Sequence, residues 1–186
     1  MSRQVAGIRL NSTDFYPTPS WCYKNLKIDW SLFKTAHEPG AGDGRIVQFL
    51  LEKGINTTYS EITEDKDFFE WDSSVDLIIT NPPFSLAQEF IEHSISRADT
   101  VIMLLRLNFL ASIKRYSWWA KNSPTSLFVL SKRPSFTGAG TDATDYAWFV
   151  WDKTDKIKSG IFFVEPPSAE QSKTDNLSAK QALYKK

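Results

Sequence analysis

The sequence predicts an α/β protein whose sheet is doubly wound, mostly parallel and ends in an antiparallel hairpin. Short apolar runs within residues 76–80 and 101–105 are typical of strands that are buried on both faces. Segments with helical spacing follow both runs, and Pro82 and Pro83 separate the first run from its helix. Two more apolar segments, at residues 126–131 and 146–151, are expected to pair with each other in opposite directions.

The individual elements follow from the same patterns and from the residues that start or stop them. Proline disfavours helix in the residue before it, so the chain is expected to be extended through residue 19. Ser20 can cap a helix over residues 20–26, and Gly54 ends a helix over residues 43–53. Two more helices are expected at residues 85–97 and 108–121. The strands are expected at residues 34–38, 57–61, 75–80, 100–105, 126–131, 146–151 and 161–164, with a short strand or turn at residues 67–71.

Composition indicates one folded domain. The chain has 186 residues, of which 41% are hydrophobic and 14% aromatic, which suits a single core and excludes general disorder. The single cysteine, Cys22, excludes an internal disulfide framework. Residues 1–10 lack the apolar core of a signal peptide, and no apolar run is long enough to span a bilayer. We expect a cytoplasmic protein, monomeric or weakly dimeric, with one domain over residues 1–165. The polar tail, residues 166–186, is expected to be disordered or loosely docked.

The residues Asn81-Pro82-Pro83-Phe84 are the strongest functional signal. They follow a predicted strand, and open α/β sheets bind ligands at the carboxyl ends of their strands. The Asn81 side-chain oxygen and the Pro82 carbonyl can accept both N–H bonds of a planar amine and draw its nitrogen toward tetrahedral geometry. Proline stiffens the turn, and Phe84 offers a flat surface for a base that has left its helix. The pattern predicts methylation of an amino group on a planar ring; the alternative is an ordinary turn whose aromatic residue packs in the core.

A glycine-rich loop precedes this motif and predicts the methyl donor. Gly40, Gly42 and Gly44 let a ligand approach the backbone, and the helix that follows offers N–H donors. Their spacing is not the dinucleotide fingerprint. The acidic neighbours Glu38 and Asp43 disfavour a bare phosphate and suit a ligand with a positive amino group or a sulfonium, such as S-adenosylmethionine. A purely structural strand-to-helix turn is the alternative.

Two further acidic positions fall in the expected order. Glu61 ends the second predicted strand, where an acid typically bonds a ribose hydroxyl. Asp67 and Phe68 come before the strand that leads to Asn81, so they could bond the amino group of a cofactor adenine and cover its ring. Taken singly, each could be a solvated acid or a core phenylalanine. Their order together with the glycine loop and Asn81 favours a binding site.

The chain resembles the S-adenosylmethionine-dependent DNA N6-adenine methyltransferases of the small phage-associated type. The matching stretches are residues 14–19, 38–44, 61, 67–68, 81–84, 133–136 and 145–151. The Asn-Pro-Pro-Phe signature is specific to planar amino nitrogens, whereas Tyr-Pro-Thr-Pro and Arg-Pro-Ser-Phe point to this family. The resemblance implies a Rossmann-like class I methyltransferase fold, S-adenosylmethionine as cofactor, no metal, and DNA as partner with the target adenine flipped out of the duplex.

The resemblance also implies roles for individual residues. An N-terminal arm, residues 1–19, would lie over the cofactor site. The implied cofactor-binding residues are Tyr16, Pro17, Thr18, Glu38, Gly40, Ala41, Gly42, Glu61, Asp67, Phe68 and Asn81. The implied catalytic residues are Asn81, Pro82, Pro83 and Phe84, and the substrate-binding candidates are Phe84, Phe136 and Arg133 together with the basic residues Lys114, Arg115 and Lys132. One departure is the polar first strand, in which His37 is expected to be partly exposed.

Charge is distributed unevenly although the formal net charge is zero. Residues 38–100 carry four bases and thirteen acids, whereas residues 101–186 carry thirteen bases and seven acids. The acidic segment suits a cationic sulfonium, and the basic segment could neutralise phosphates or be an ordinary solvated surface. Three alternatives to DNA methylation stay open. These are methylation of RNA adenine, methylation of a glutamine amide in a protein, and a non-catalytic module that binds the cofactor or DNA.

Overall fold

Seven strands form one mixed sheet in the computed structural model, which describes residues 16–184. In chain order the strands are β1 (Thr35–Pro39), β2 (Asn56–Ser60), β3 (Val75–Thr80), β4 (Ala98–Arg106), β5 (Ser126–Leu130), β6 (Tyr146–Asp152) and β7 (Gly160–Val164). Their order across the sheet is β2-β1-β3-β4-β6-β5-β7. Only β6 among them runs antiparallel to its neighbours, since β4 and β5 both pair with it in the opposite direction. The predicted mostly parallel sheet with a C-terminal antiparallel hairpin is confirmed, and β7 adds a parallel edge strand beside β5.

The helices cover both faces of the sheet. They are α1 (Ser20–Lys24), α2 (Arg45–Glu52), α3 (Ala87–Ile95), α4 (Tyr116–Asn122) and α5 (Ala169–Tyr184). Side chains of β6 alternate between the two layers of core. Tyr146, Trp148 and Val150 pack with α1 and α2, whereas Ala147, Phe149 and Trp151 pack on the face covered by α3. The sheet is therefore doubly wound, as the buried apolar runs predicted. No helix of residues 16–184 is both long and apolar enough to cross a membrane.

Two of the sequence-based helix predictions are wrong in detail, and the structure decides a third prediction that was left open. The helix expected at residues 108–121 is two 3₁₀ turns, Leu107–Leu110 and Ile113–Arg115, followed by the short α4. The short strand or turn expected at residues 67–71 is a turn, the 3₁₀ segment Phe68–Glu70, in which the Asp67 carboxylate accepts the Phe69 N–H at 2.9 Å. The helix expected from residue 85 begins as a 3₁₀ turn before α3.

The prediction of a disordered or loosely docked tail is also wrong, because residues 169–184 form α5. Asp175 is 5% exposed, and its carboxylate accepts the N–H groups of Ser20 at 2.8 Å and Trp21 at 3.3 Å. These two N–H groups lie in the first turn of α1, where the helix itself offers them no acceptor. Asp175 therefore caps α1 from the far end of the chain. Residues 16–19 of the predicted arm belong to no helix or strand, and Pro19 has the extended dihedral angles φ −55° and ψ 138°. The first 15 residues of the arm lie outside the described residues.

Candidate active site

Three loops converge at the carboxyl ends of β1, β2 and β3. The Thr80 hydroxyl, at the end of β3, donates to the Pro39 carbonyl at the end of β1. The N–H groups of Gly40 and Ala41 both donate to the Ser60 carbonyl at the end of β2, at 2.9 and 3.0 Å. The residues that follow these strands are the glycine loop, Glu61 and Asn81. The structure thus brings these three motifs together at the carboxyl edge of the sheet, where open α/β sheets commonly bind ligands.

The Asn81 amide is held in one orientation by the segment that precedes α1. Its Nδ2 donates to the Thr18 hydroxyl at 3.1 Å and to the Tyr16 carbonyl at 3.4 Å. Its Oδ1 is buried and accepts no hydrogen bond from any of residues 16–184. A buried carbonyl oxygen without a donor is costly and uncommon in proteins. The arrangement therefore presents a fixed acceptor, and the catalytic role of Asn81 stays a prediction.

Thr18 is itself fixed by contacts on both sides. It is 4% exposed, and its carbonyl accepts a hydrogen bond from Arg45 Nη1 at 3.0 Å. Arg45 opens α2, and its Nε donates to the Asp43 carboxylate at 2.8 Å. The neighbouring residues of α1 are capped by Asp175 of α5. The orientation of the Asn81 amide thus depends on groups from three distant parts of the chain.

The glycine loop adopts a backbone that side chains disfavour. Gly40, Gly42 and Gly44 have φ values of 72°, 60° and 74°, and a Cβ at such angles would be strained. Gly44 precedes α2 and cannot cap it through a side chain. Glu38 supplies the cap instead, since its Oε2 accepts the Val47 N–H at 2.9 Å. The loop is thereby fixed to β1 at one end and to α2 at the other.

Glu38 is an unusual acid because it is buried and no cationic side chain among residues 16–184 is bonded to it. It is 3% exposed, and burial raises the pKa of its carboxyl well above the ordinary value, with the charges of Asp43 and Glu61 adding to the effect. Three carboxyl groups therefore lie near one glycine loop. Such a site disfavours anions and is suited to a cation, which would favour the ionised form of Glu38.

Glu61 closes the loop from the β2 side. Its Oε2 accepts the Gly42 N–H at 2.7 Å, and its Oε1 accepts the backbone N–H and the hydroxyl of Thr63 at 3.1 and 2.8 Å. A carboxylate offers about four acceptor positions, so Oε2 keeps capacity for one more donor. The predicted bond to a ribose hydroxyl is compatible with this geometry.

Phe68 and His37 are placed differently from the predictions. Phe68 is 3% exposed and packs against Phe90 at 5.1 Å between ring centroids, so it is a core residue rather than a cover for a cofactor ring. His37 is fully buried, not partly exposed, and stacks on Trp71 at 4.0 Å. Its ring nitrogens are within hydrogen-bond distance of the Thr58 and Ser60 hydroxyls, and burial lowers its pKa to about 4. The polar side chain of His37 in the first strand is therefore satisfied inside the fold by the hydroxyls of β2.

A row of aromatic rings runs from Phe84 to Tyr16. Phe84 is half-buried and lies 5.7 Å from Tyr146, which lies 5.4 Å from Phe136, which lies 5.8 Å from Tyr16. Tyr16 and Thr18 both contact the Asn81 amide, so the two ends of the row flank the same loop. Three of the four rings belong to predicted site residues. Phe136 is 3% exposed and supports the row from behind rather than offering a face of its own.

The predicted basic residues are not equivalent. Lys114 is exposed, whereas Arg115 lies 4.1 Å over the Phe109 ring and donates to the Phe109 carbonyl. Arg133 forms an ion pair with Asp145, with Nε 2.8 Å from Oδ1. Lys132 and Arg133 line a cavity of about 100 Å³ beside α5, which is too small for a cofactor of nucleoside size. Their predicted part in substrate binding stays a prediction.

Sequence reasoning missed Arg45 and Tyr146. Arg45 begins α2 directly after the glycine loop, where the helix dipole disfavours a cation, and this conflict was a signal of a specific partner. Tyr146 lies in a stretch that carried the resemblance, but nothing in the sequence showed that its ring would join Phe84 to Phe136.

Comparison of the sequence alone gives no relative: no protein-family model matches it, and the search of curated proteins gives no match. Comparison of the structure does. A candidate RNA methyltransferase from Pyrococcus horikoshii superposes with a TM-score of 0.61 at 18% identity, over 81% of this chain and 93% of the other. The chain has the class I methyltransferase fold. The predicted Rossmann-like class I sheet is thereby confirmed.

Two further structures match with lower scores. A candidate class I S-adenosylmethionine-dependent methyltransferase from Listeria monocytogenes gives a TM-score of 0.48 at 10% identity, over 80% of this chain and 64% of the other. A dimethyladenosine transferase from Plasmodium falciparum gives 0.42 at 14% identity, over 70% and 58%.

Proposed function

We propose that this protein is an S-adenosylmethionine-dependent methyltransferase that methylates the N6 amino group of adenine in DNA. One observation carries the proposal. The buried Asn81 Oδ1 has no donor among residues 16–184, and the Nδ2 of the same amide is fixed by Thr18 and Tyr16. An acceptor that is fixed in place and unsatisfied suits a ligand with an N–H donor.

The surroundings of Asn81 fit the methyl donor. The strained glycine loop offers close backbone approach, Glu61 has capacity for a hydroxyl donor, and Glu38 favours a cation. When bound, S-adenosylmethionine supplies an electrophilic methyl group on a sulfonium. Methyl transfer breaks its C–S bond, leaves a neutral thioether and forms the N–C bond, and the amine loses one proton to solvent. The glycine loop and Glu38 would hold the ammonium end and Glu61 the ribose, with the sulfonium, which joins these two parts of the molecule, between them.

Asn81 and its neighbours would act on the amine. The Asn81 Oδ1 accepts one N–H of the amino group, and the Pro82 carbonyl accepts the other. These two hydrogen bonds draw the nitrogen toward tetrahedral geometry, so its lone pair is less conjugated with the ring and can attack the methyl group. An amide cannot take a proton at neutral pH, so the catalytic effect comes from position and dipoles rather than from a strong base. Phe84 gives the base a surface, and the row through Tyr146 and Phe136 supports that ring.

A flipped adenine in DNA is the best candidate acceptor. The support is the Tyr-Pro-Thr-Pro segment, which the fold brings onto the Asn81 amide, and the Arg-Pro-Ser-Phe segment, whose Phe136 joins the aromatic row. Both segments carry the resemblance to DNA adenine methyltransferases. RNA adenine is the second candidate, because a planar amino group with two N–H bonds meets the same acceptors.

Methyl incorporation into defined acceptors tests the proposal. The purified protein is incubated with methyl-labelled S-adenosylmethionine and, separately, duplex DNA, single-stranded DNA, RNA and a protein extract. We expect label in DNA that digestion and mass spectrometry identify as N6-methyladenine. Label confined to RNA or to protein would contradict the DNA assignment, and cofactor binding without any transfer would show a non-catalytic module.

A further inference from the structure

An arginine with an unusual environment ends β4 at the same edge of the sheet as Asn81. Thr80 pairs with Met103 of β4, and Arg106 lies three residues beyond it. At about 3.3 Å per residue, Arg106 therefore lies roughly 10 Å above the point where the Asn81 loop leaves the sheet. The five preceding residues of β4 are buried and apolar, whereas Arg106 is exposed. Its charged side chain therefore takes no part in the packing of the core.

Its guanidinium lies on the surface that the target base is proposed to use. The Arg106 Cζ is 4.6 Å from the centre of the Phe84 ring. Arg106 Nε donates to the Tyr146 hydroxyl at 3.4 Å, and that hydroxyl donates to the Asp142 carboxylate at 3.2 Å. Stacking on Phe84 and one weak hydrogen bond thus position the side chain, and they leave its two Nη groups for other partners.

Arg106 differs from two other arginines near the site because no carboxylate in the described part of the chain is paired with it. Arg45 is paired with Asp43 and Arg133 with Asp145, but Arg106 forms no ion pair with any of residues 16–184. The nearest acid in its network, Asp142, accepts from the Tyr146 hydroxyl and from the Thr144 N–H at 3.0 Å. An exposed guanidinium that lacks a carboxylate and lies on an aromatic platform is a favourable site for an oxyanion.

We infer that Arg106 binds a backbone phosphate of the target strand, next to the adenine that is stacked at Phe84. The inference rests on the proposed function, since it adds to that site the group which recognises the strand. A guanidinium can bond two phosphate oxygens at once, and a base entering over Phe84 carries its own phosphodiester to that edge. Arg106 would leave the face of Phe84 as the base arrives and bond the phosphate instead.

The salt dependence of binding tests this inference directly. Each phosphate contact contributes about 0.9 to the slope of log affinity against log salt for duplex DNA, and about 0.7 for single strands. For Arg106→Gln we expect the slope to fall by that amount and the affinity at roughly 0.1 M salt to fall about eightfold. Arg106→Lys keeps a cation, so we expect the wild-type slope with an intermediate affinity. Binding is measured by fluorescence anisotropy on labelled DNA and RNA oligonucleotides in the presence of S-adenosylhomocysteine.

Lys158→Gln is the matched control. Lys158 is exposed and directly precedes β7, which runs in the same direction as β4. It therefore lies at the amino ends of these strands, away from Asn81, and its substitution removes the same charge. We expect the control to keep the wild-type slope. An unchanged slope for Arg106→Gln, or an equal reduction in the control, would overturn the inference. So would a loss of cofactor affinity in Arg106→Gln with no change in slope.

The failure of this inference is distinct from the failure of the proposed function. If the wild-type protein methylates adenine and Arg106→Gln keeps its slope, only the phosphate contact is refuted. If the wild-type protein transfers no methyl group to nucleic acid and binds none, the proposed function and the inference fail together. A reduced slope with RNA but not with DNA would support the contact and assign the strand as RNA.

Discussion

Asn81→Ala separates a catalytic role from a structural one. The substitution removes the Nδ2 bonds to Thr18 and Tyr16 and also removes the buried Oδ1 that has no donor among residues 16–184. Two hydrogen bonds contribute about 1–3 kcal/mol to the free energy of unfolding. Relief of one unsatisfied buried polar atom returns about 1–3 kcal/mol. We therefore expect the free energy of unfolding to change by less than about 1 kcal/mol.

Activity should change far more than stability. Loss of one preorganised hydrogen-bonding group at a site of developing charge typically lowers kcat by about 10² to 10³-fold. We expect a decrease of that size in methyl transfer to adenine, whereas the affinity for S-adenosylmethionine is kept. Labelled methyl incorporation gives kcat, calorimetric titration gives the cofactor affinity, and denaturant unfolding gives the stability.

Asn25→Ala is the matched control. Its amide is also half-buried, but both ends are satisfied: Nδ2 donates to the Glu165 carbonyl at 3.1 Å, and Oδ1 accepts from Gln171 Nε2 at 3.2 Å. The substitution costs about 1–3 kcal/mol with no compensating relief, so the midpoint of thermal unfolding should fall by roughly 2–12 °C while turnover persists. Full turnover by Asn81→Ala, or a loss of stability equal to that of Asn25→Ala, would refute the reasoning.

Three further predictions concern the groups around Asn81. Thr18→Val removes the hydroxyl that fixes the amide and should lower kcat roughly tenfold, whereas Thr18→Ser should restore it; methyl incorporation by the two variants measures this. His37 is buried and its pKa is about 4, below the unfolded value near 6.5. Between pH 6.5 and pH 4 the unfolded chain therefore binds more protons than the folded chain. Wild-type stability should fall by up to about 3 kcal/mol as pH drops from 6.5 to 4, and His37→Gln should remove most of this fall in urea titrations. The pKa of the Glu38 carboxyl is raised by burial. The stability that its protonated form contributes is therefore fully present below the unfolded pKa near 4.3 and is lost as pH rises. Glu38→Gln should therefore unfold at higher urea concentration than wild type at pH 8, with a gap that closes toward pH 4, and should bind S-adenosylmethionine more weakly.

Clear results would contradict each of these. Equal activity of Thr18→Val and wild type would show that the amide needs no support from this hydroxyl. A wild-type stability that is flat between pH 6.5 and 4, or a His37→Gln variant with the same fall, would contradict the burial argument. For Glu38, the contrary result is a variant that is less stable than wild type at pH 8.

Most of the sheet could be predicted from the sequence because buried strands leave a local signal. The apolar residues of β3 and β4 are contiguous, and glycine or proline follows closely after some elements, such as β1, α2 and β3, so the limits of the strands were found within about three residues. Residues 108–115 were mispredicted as helix because their apolar residues fit a helical period, but the chain after β4 turns instead in two 3₁₀ segments. α5 was missed because it carries almost no apolar stripe; its docking depends on one buried acid, Asp175, and on small residues such as Ala179.

Local chemistry in the sequence determined which residues could serve a methyl transfer: the Asn-Pro-Pro-Phe turn, the glycine loop, and the acids that follow the first two strands. Residue type and position relative to a strand end are properties of short segments. Tertiary structure alone decided how the Asn81 amide is oriented, that Phe68 belongs to the core, and that Tyr146 connects Phe84 to Phe136. These outcomes depend on contacts between residues that are 10 to 155 positions apart along the chain, from Tyr146 with Phe136 to Asp175 with Ser20, and no local pattern encodes such pairs.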